Sequence, residues 1–167
     1  MTSAVIRILA ETAADTRAVG ERLAPLLRPG DLILLSGDLG AGKTTFTQGL
    51  GTALGVRGDV TSPTFVISRV HPSLGSGPAL VHVDAYRLGG VPELDDLDLD
   101  ASLDEAVTVV EWGGGVAEVL AEDRLEVELL RSHDESEGET RTLHVRAVGA
   151  RWAGVARLSA PSSEPSA

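Results

Sequence analysis

Residues 4–10, AVIRILA, alternate in the manner of a strand. Thr12 followed three residues on by Asp15 resembles a capping box and predicts a helix running to about Arg28, broken by Pro29 and Gly30. DLILLS, residues 31–36, is a short continuous apolar run, the pattern of a buried strand in a parallel sheet. A glycine-rich loop follows, then a helix predicted from about Lys43 to Leu54 and stopped by Gly55. Residues 64–70 predict a strand, and a Pro/Gly/Ser connection leads to two buried strands at 80–84 and 107–111. Each of these two ends in a carboxylate. The acidic stretch between them, centred on residues 93–105, predicts a short helix plus loop. RLEVELL and TRTLHVRAV alternate on either side of a polar segment and predict an antiparallel hairpin. Residues 149–158 predict a last short helix.

Strands and helices therefore alternate over the first two-thirds, and a hairpin closes the chain. That order predicts a three-layer α/β domain with a mostly parallel sheet and an antiparallel edge. We expect one domain over residues 1–157 and a disordered tail over 158–167, rich in Ser, Pro and Ala. At 167 residues the chain is long enough for one substantial core. Aromatic residues are only 3%, so that core must be aliphatic.

Composition narrows the chemistry. There are no cysteines, which excludes disulfides, thiolate metal sites and thiol nucleophiles. No run approaches the length of a membrane-spanning helix. The N-terminus meets acidic residues too early for a signal peptide, so a cytoplasmic protein is expected. A formal net charge of −11 argues against a chain that grips nucleic acid by itself. It suits either simple solubility or a basic protein partner.

Of the fourteen Lys and Arg residues, Lys43 is the only lysine. It stands in Gly37-Asp38-Leu39-Gly40-Ala41-Gly42-Lys43-Thr44, which fits G-x-x-x-x-G-K-[ST] at every fixed position. Glycines let the backbone wrap a polyphosphate with its N–H groups inward, and the helix that follows adds its positive N-terminal end. Lys43 can reach the β- and γ-phosphates as a compact point charge, and the Thr44 hydroxyl can bind Mg²⁺. A planar guanidinium does not substitute for that ammonium.

A P-loop site also needs a strand-end carboxylate to hold Mg²⁺ or position water. Asp84 and Glu111 are the two candidates, each at the carboxyl end of an apolar strand, where ligands bind in open α/β sheets. Thr64, in SPTF, can sense a γ-phosphate or simply belong to a proline-stiffened strand entry. Trp112 reads as a core aromatic or as a stacking platform, and His82 as a buried strand residue. No His/Asp/Glu spacing suggests zinc, and Ser62 has no nearby His for a hydrolase triad.

GDLGAGKTTFTQGL, SPTF, HVDAYRL and VVEW, in this order and spacing, resemble the TsaE (YjeE) family, as does ETAADTRAVGERLA for its first helix. The resemblance runs from about Glu11 to Trp112. It implies a small cytoplasmic P-loop ATPase, slow alone and coupled to its partners. It also implies that the chain works with TsaD and TsaB, alongside TsaC, in making threonylcarbamoyladenosine next to the tRNA anticodon. On that implication tRNA is met only through the partner proteins, and ATP and Mg²⁺ are the cofactors. Matched motif by motif, Lys43, Asp84 and Glu111 become the catalytic set. Thr44 and Glu111 become Mg²⁺ ligands, with Asp84 an essential acid at the metal, directly or through water. The loop residues, Thr45 and Thr64 contact the nucleotide, and Thr12 borders the adenine. Two departures stand out: Gly113, Gly114 and Gly115 follow the Glu-Trp pair where the family usually has a proline or small residue and then an acid, and His71 stands nearest where an aromatic is usual.

The competing reading is a small P-loop kinase of a nucleotide or metabolite. Such kinases gather several Arg on a lid, whereas Arg57, Arg69, Arg87 and Arg124 form no evident cluster. A nucleotide-dependent switch with negligible turnover is a third class. No N-K-x-D guanine-reading element exists, because there is no second lysine.

Overall fold

The computed structural model describes residues 3–37, 41–56, 68–75, 77–84, 105–111, 123–131, 138 and 140–152. Within them lie seven strands: β1 (Ser3–Ala10), β2 (Leu32–Gly37), β3 (Ser68–His71), β4 (Ala79–Asp84), β5 (Ala106–Glu111), β6 (Arg124–Arg131) and β7 (Arg141–Val148). Two α-helices, α1 (Ala13–Leu23) and α2 (Lys43–Leu54), interrupt them.

The strands form one mixed sheet in the order β1-β7-β6-β2-β5-β4-β3. Its centre is parallel: β2 pairs with β5 and with β6, and β4 pairs with β5. β1, β7 and β3 add antiparallel edges. This is the α/β arrangement of P-loop NTPase-like domains, and the closing β6–β7 hairpin is antiparallel as expected.

Burial follows position in the sheet. All six residues of β5 and the first four of β2 are buried, because these strands have neighbours on both sides. In β6 the odd-numbered Leu125, Val127 and Leu129 are buried, while Glu128 and Leu130 face outward. Among the described residues the core is aliphatic, built from residues such as Ile33, Leu35, Val107, Val109, Leu125 and Val145, with Phe46 and Trp152 as the aromatics among them.

The capping box at Thr12 is present: Asp15 N–H donates to Thr12 Oγ1 at 3.1 Å, and Thr12 N–H donates to Asp15 Oδ2 at 3.2 Å. The helix does not run to Arg28, however. It ends at Leu23 and tightens into a 3-10 turn at Ala24–Leu26. Pro25 has no N–H to give the carbonyl four residues back, so the α-helical ladder stops there. α2 ends as expected on Gly55, whose φ of 73° is the left-handed conformation glycine allows. Beyond β7 the described structure is a 3-10 turn at Ala150–Trp152; the rest of the predicted last helix, and residues 158–167, lie outside the described residues. So do 64–67 of the predicted third strand and most of the acidic stretch at 93–105.

α1 and α2 cross backbone to backbone. A Cβ on Gly49 would strike the Arg17 carbonyl, and one on Gly20 would strike the carbonyl of Phe46. Across this contact Arg17 Nη2 donates to Thr52 Oγ1 at 3.0 Å. The helix that opens at Lys43 is thereby fixed against its neighbour.

Candidate functional site

The site forms where the parallel strands end together. Leu35 of β2 lies opposite Glu111 of β5, and Glu111 lies opposite Asp84 of β4. Two residues beyond Leu35, β2 finishes at Gly37 and the chain enters the glycine loop.

Gly37 has a φ of +149°, and a Cβ there would come within 2.7 Å of the Leu129 carbonyl oxygen. Gly42 has a φ of +102° and forms the N-cap of α2 without a side-chain cap. The first amides of α2 are thus not closed off by a capping side chain, the condition under which a helix start takes an anion. Lys43 Nζ donates to the Gly37 carbonyl at 2.8 Å, which folds its side chain back over the loop. Thr44 and Thr45, half-buried, follow on the first turn of α2. A Cβ on Gly42 would lie 3.4 Å from Thr16 Cγ2, so the first turns of α1 flank the loop. Thr12 sits exposed at the start of that helix, with its hydroxyl oxygen engaged in the cap.

Glu111 is 6% exposed. Its Oε1 lies 2.9 Å from His82 Nε2, and His82 is fully buried. His82 Nδ1 has no partner among the described residues. His82 is a buried strand residue, as expected, but it is also the residue that orients Glu111. Asp38, Leu39, Gly40, Thr64 and Trp112 lie outside the described residues, as does the side chain of Asp84.

Arg141 was not anticipated. From the first position of β7 its Nε donates to the Ala41 carbonyl at 3.1 Å, and its Nη1 donates to the carbonyls of Gly138 at 2.7 Å and Thr140 at 2.9 Å. Beside it, Thr140 Oγ1 donates to the Glu11 carbonyl at 3.4 Å. The end of the hairpin connection, the start of α1 and the glycine loop therefore meet at one place.

Could these residues hold a divalent cation? A threonine hydroxyl on the first turn of α2 and a strand-end carboxylate, with a second acid in the adjacent register position, form an all-oxygen donor set that fits Mg²⁺.

The family model described as Threonylcarbamoyl adenosine biosynthesis protein TsaE matches residues 10–142. The chain belongs to the TsaE family. It is 63% identical over 138 residues to the tRNA threonylcarbamoyladenosine biosynthesis protein TsaE of Streptomyces coelicolor, covering 82% of this chain and 93% of that one. The protein of the same name from Mycobacterium leprae is 50% identical over 131 residues, covering 74% and 81%. The crystal structure of Bacillus subtilis YdiB superposes with a TM-score of 0.68 at 31% identity, covering 91% of each chain. The TsaE match reaches past the last motif legible in the sequence and takes in Arg141. Among the described residues of this TsaE family member, no helix is long and apolar enough to cross a membrane.

Proposed function

We propose that the chain is a Mg²⁺-dependent, cytoplasmic ATPase that supports threonylcarbamoyladenosine formation in tRNA by acting on TsaD- and TsaB-type partners. The observation that carries this reading is the shared strand edge. Lys43 is held over the glycine loop at the end of β2, and buried Glu111 stands two residues up on the neighbouring strand.

In this reading the loop amides and Lys43 bind the triphosphate, and the fixed backbone keeps it oriented along α2. Thr44 and Glu111 would hold Mg²⁺ together with Asp84, and the ion would neutralise charge on the terminal phosphates. His82, by fixing one carboxylate oxygen of Glu111, leaves the other aimed and keeps the acid from swinging. Asp38, Leu39, Gly40 and Thr64 complete the nucleotide contacts, with Thr12 near the base.

Phosphate release from ATP, measured with and without the partner pair, tests the reading. Slow release that rises with the partners is expected; negligible release in both conditions would leave a binding switch, and transfer to a small acceptor would indicate a kinase. Glu111→Gln is expected to cut hydrolysis about a hundredfold while ATP affinity falls less than about tenfold. The amide fills the same space but is a poor cation ligand and a poor base. Unchanged turnover in this variant would reduce Glu111 to a strand end.

The chain alone is expected to retain tRNA poorly on a filter at low salt. A net charge of −11 opposes a polyanion, and counterion release needs a basic face. Micromolar retention would contradict recruitment through protein partners.

A further inference from the structure

The peptide joining Ala41 to Gly42 is the hinge between the glycine loop and α2. The next carbonyl, that of Gly42, already accepts the first helical bond, from Phe46 N–H at 2.9 Å. The Ala41 carbonyl lies outside that ladder. Rotating the Ala41–Gly42 peptide changes ψ of Ala41 and φ of Gly42, and at Gly42 no Cβ opposes the rotation. The glycine that lets the loop wrap closely also lets this peptide turn over.

A trans peptide is planar, so its carbonyl and its N–H point in opposite directions. Arg141 Nε donates to the Ala41 carbonyl, so the Gly42 N–H is directed away from Arg141. That N–H makes no backbone hydrogen bond to another described residue. The guanidinium is itself anchored by the carbonyls of Gly138 and Thr140, a rigid fork rather than a mobile charge. We propose that Arg141 is a positioning residue of the phosphate cradle: by holding the Ala41 carbonyl outward, it sets the Gly42 N–H toward the phosphates. The inference rests on the nucleotide reading above and adds to it a residue from the far end of the chain.

The full-length protein and its Arg141→Met variant are compared by calorimetric titration with Mg²⁺-ADP and Mg²⁺-ATP. The Gly42 amide is followed by ¹⁵N–¹H NMR, and the Ala41 carbonyl by ¹³C NMR. Met keeps the apolar stem and removes every donor. Affinity is expected to fall about tenfold to a hundredfold, the range for a hydrogen bond to a charged group. The Gly42 amide, which should move downfield when nucleotide binds the parent, is expected to lose most of that response. A general loosening of the fold would lower affinity without singling out this amide. Parent-like affinity in Arg141→Met, or weaker affinity with an intact Gly42 response, would overturn the proposal. If Arg141→Met does not fold, Arg141→Gln, whose amide stops short of Ala41, is judged by the same two readings. If the parent binds no nucleotide, the functional reading fails on its own. The Ala41 ¹³C shift between parent and variant then still decides whether Arg141 sets this peptide.

Discussion

Lys43→Ala is expected to lose about a hundredfold or more in ATP affinity, and Lys43→Arg about tenfold. A charge-assisted hydrogen bond to phosphate contributes about 1.5–3 kcal/mol, and every 1.4 kcal/mol is a factor of ten. The alanine variant loses both that interaction and the bond to the Gly37 carbonyl that folds the side chain over the loop. Arginine restores the charge but spreads it over a planar fork, in a space bounded by a loop whose glycine at position 37 has no room even for a Cβ. Calorimetric titration with ATP and Mg²⁺ measures both variants. Parent-like affinity in the two would remove Lys43 from the site and with it the central argument for a phosphate cradle.

The largest effect on stability is expected at Arg151. Asp31, 5% exposed, accepts from Arg151 Nε at 3.0 Å and from Nη2 at 2.8 Å, and also from the Arg28 N–H at 2.8 Å. Arg151 Nη2 donates as well to the Leu26 carbonyl at 2.7 Å, and its guanidinium lies 4.4 Å from the centre of the Trp152 ring. One side chain thus ties the end of β7 to the entrance of β2. Arg151→Met leaves a buried carboxylate without its cation, a change that costs about 3–5 kcal/mol. That is a large part of the total stability of an ordinary domain, about 5–15 kcal/mol. Urea unfolding should show a lower midpoint with the slope unchanged. Adding Asp31→Ala to Arg151→Met should recover part of the loss, since the stranded charge is gone. If the double variant is less stable than the single by the full cost of a second independent change, the pair is not the cause.

The glycine loop was legible because its chemistry is local: eight consecutive residues carry the whole pattern. Strand-end carboxylates were legible for the same reason, each following its own apolar run. What the linear pattern lacked was pairing. His82 and Glu111 were read separately, and only the parallel register, with Asp84 opposite Glu111, brings the imidazole diagonally onto the carboxylate. Asp31 was read as the opening residue of a buried strand and Arg151 as part of a terminal helix; a separation of 120 positions along the chain hides the contact. Arg141 sits in an alternating strand, and its reach to Ala41 follows from β6 lying next to β2. The end of α1 is different: Pro25 lies within the span predicted as helix, and its missing N–H stops the ladder before the Pro29-Gly30 break is reached.

The sheet order also fixes when this protein can fold. β1 is the first strand made, yet its described partner is β7, and Ser3 pairs with Val148. β2 carries the glycine loop, and one of its two neighbours is β6. At about 5–20 residues per second a ribosome needs roughly 7–30 s to progress from one end of that first pairing to the other. Throughout synthesis the nascent β1 has no edge to join, and the strand leading into the glycine loop is missing a neighbour. Pairings so distant along the chain also fold slowly once the chain is complete. The strand edge that carries the glycine loop is therefore among the last parts to be completed, and a chain cut short before the hairpin carries an intact glycine motif on a β2 that lacks one of its two neighbours.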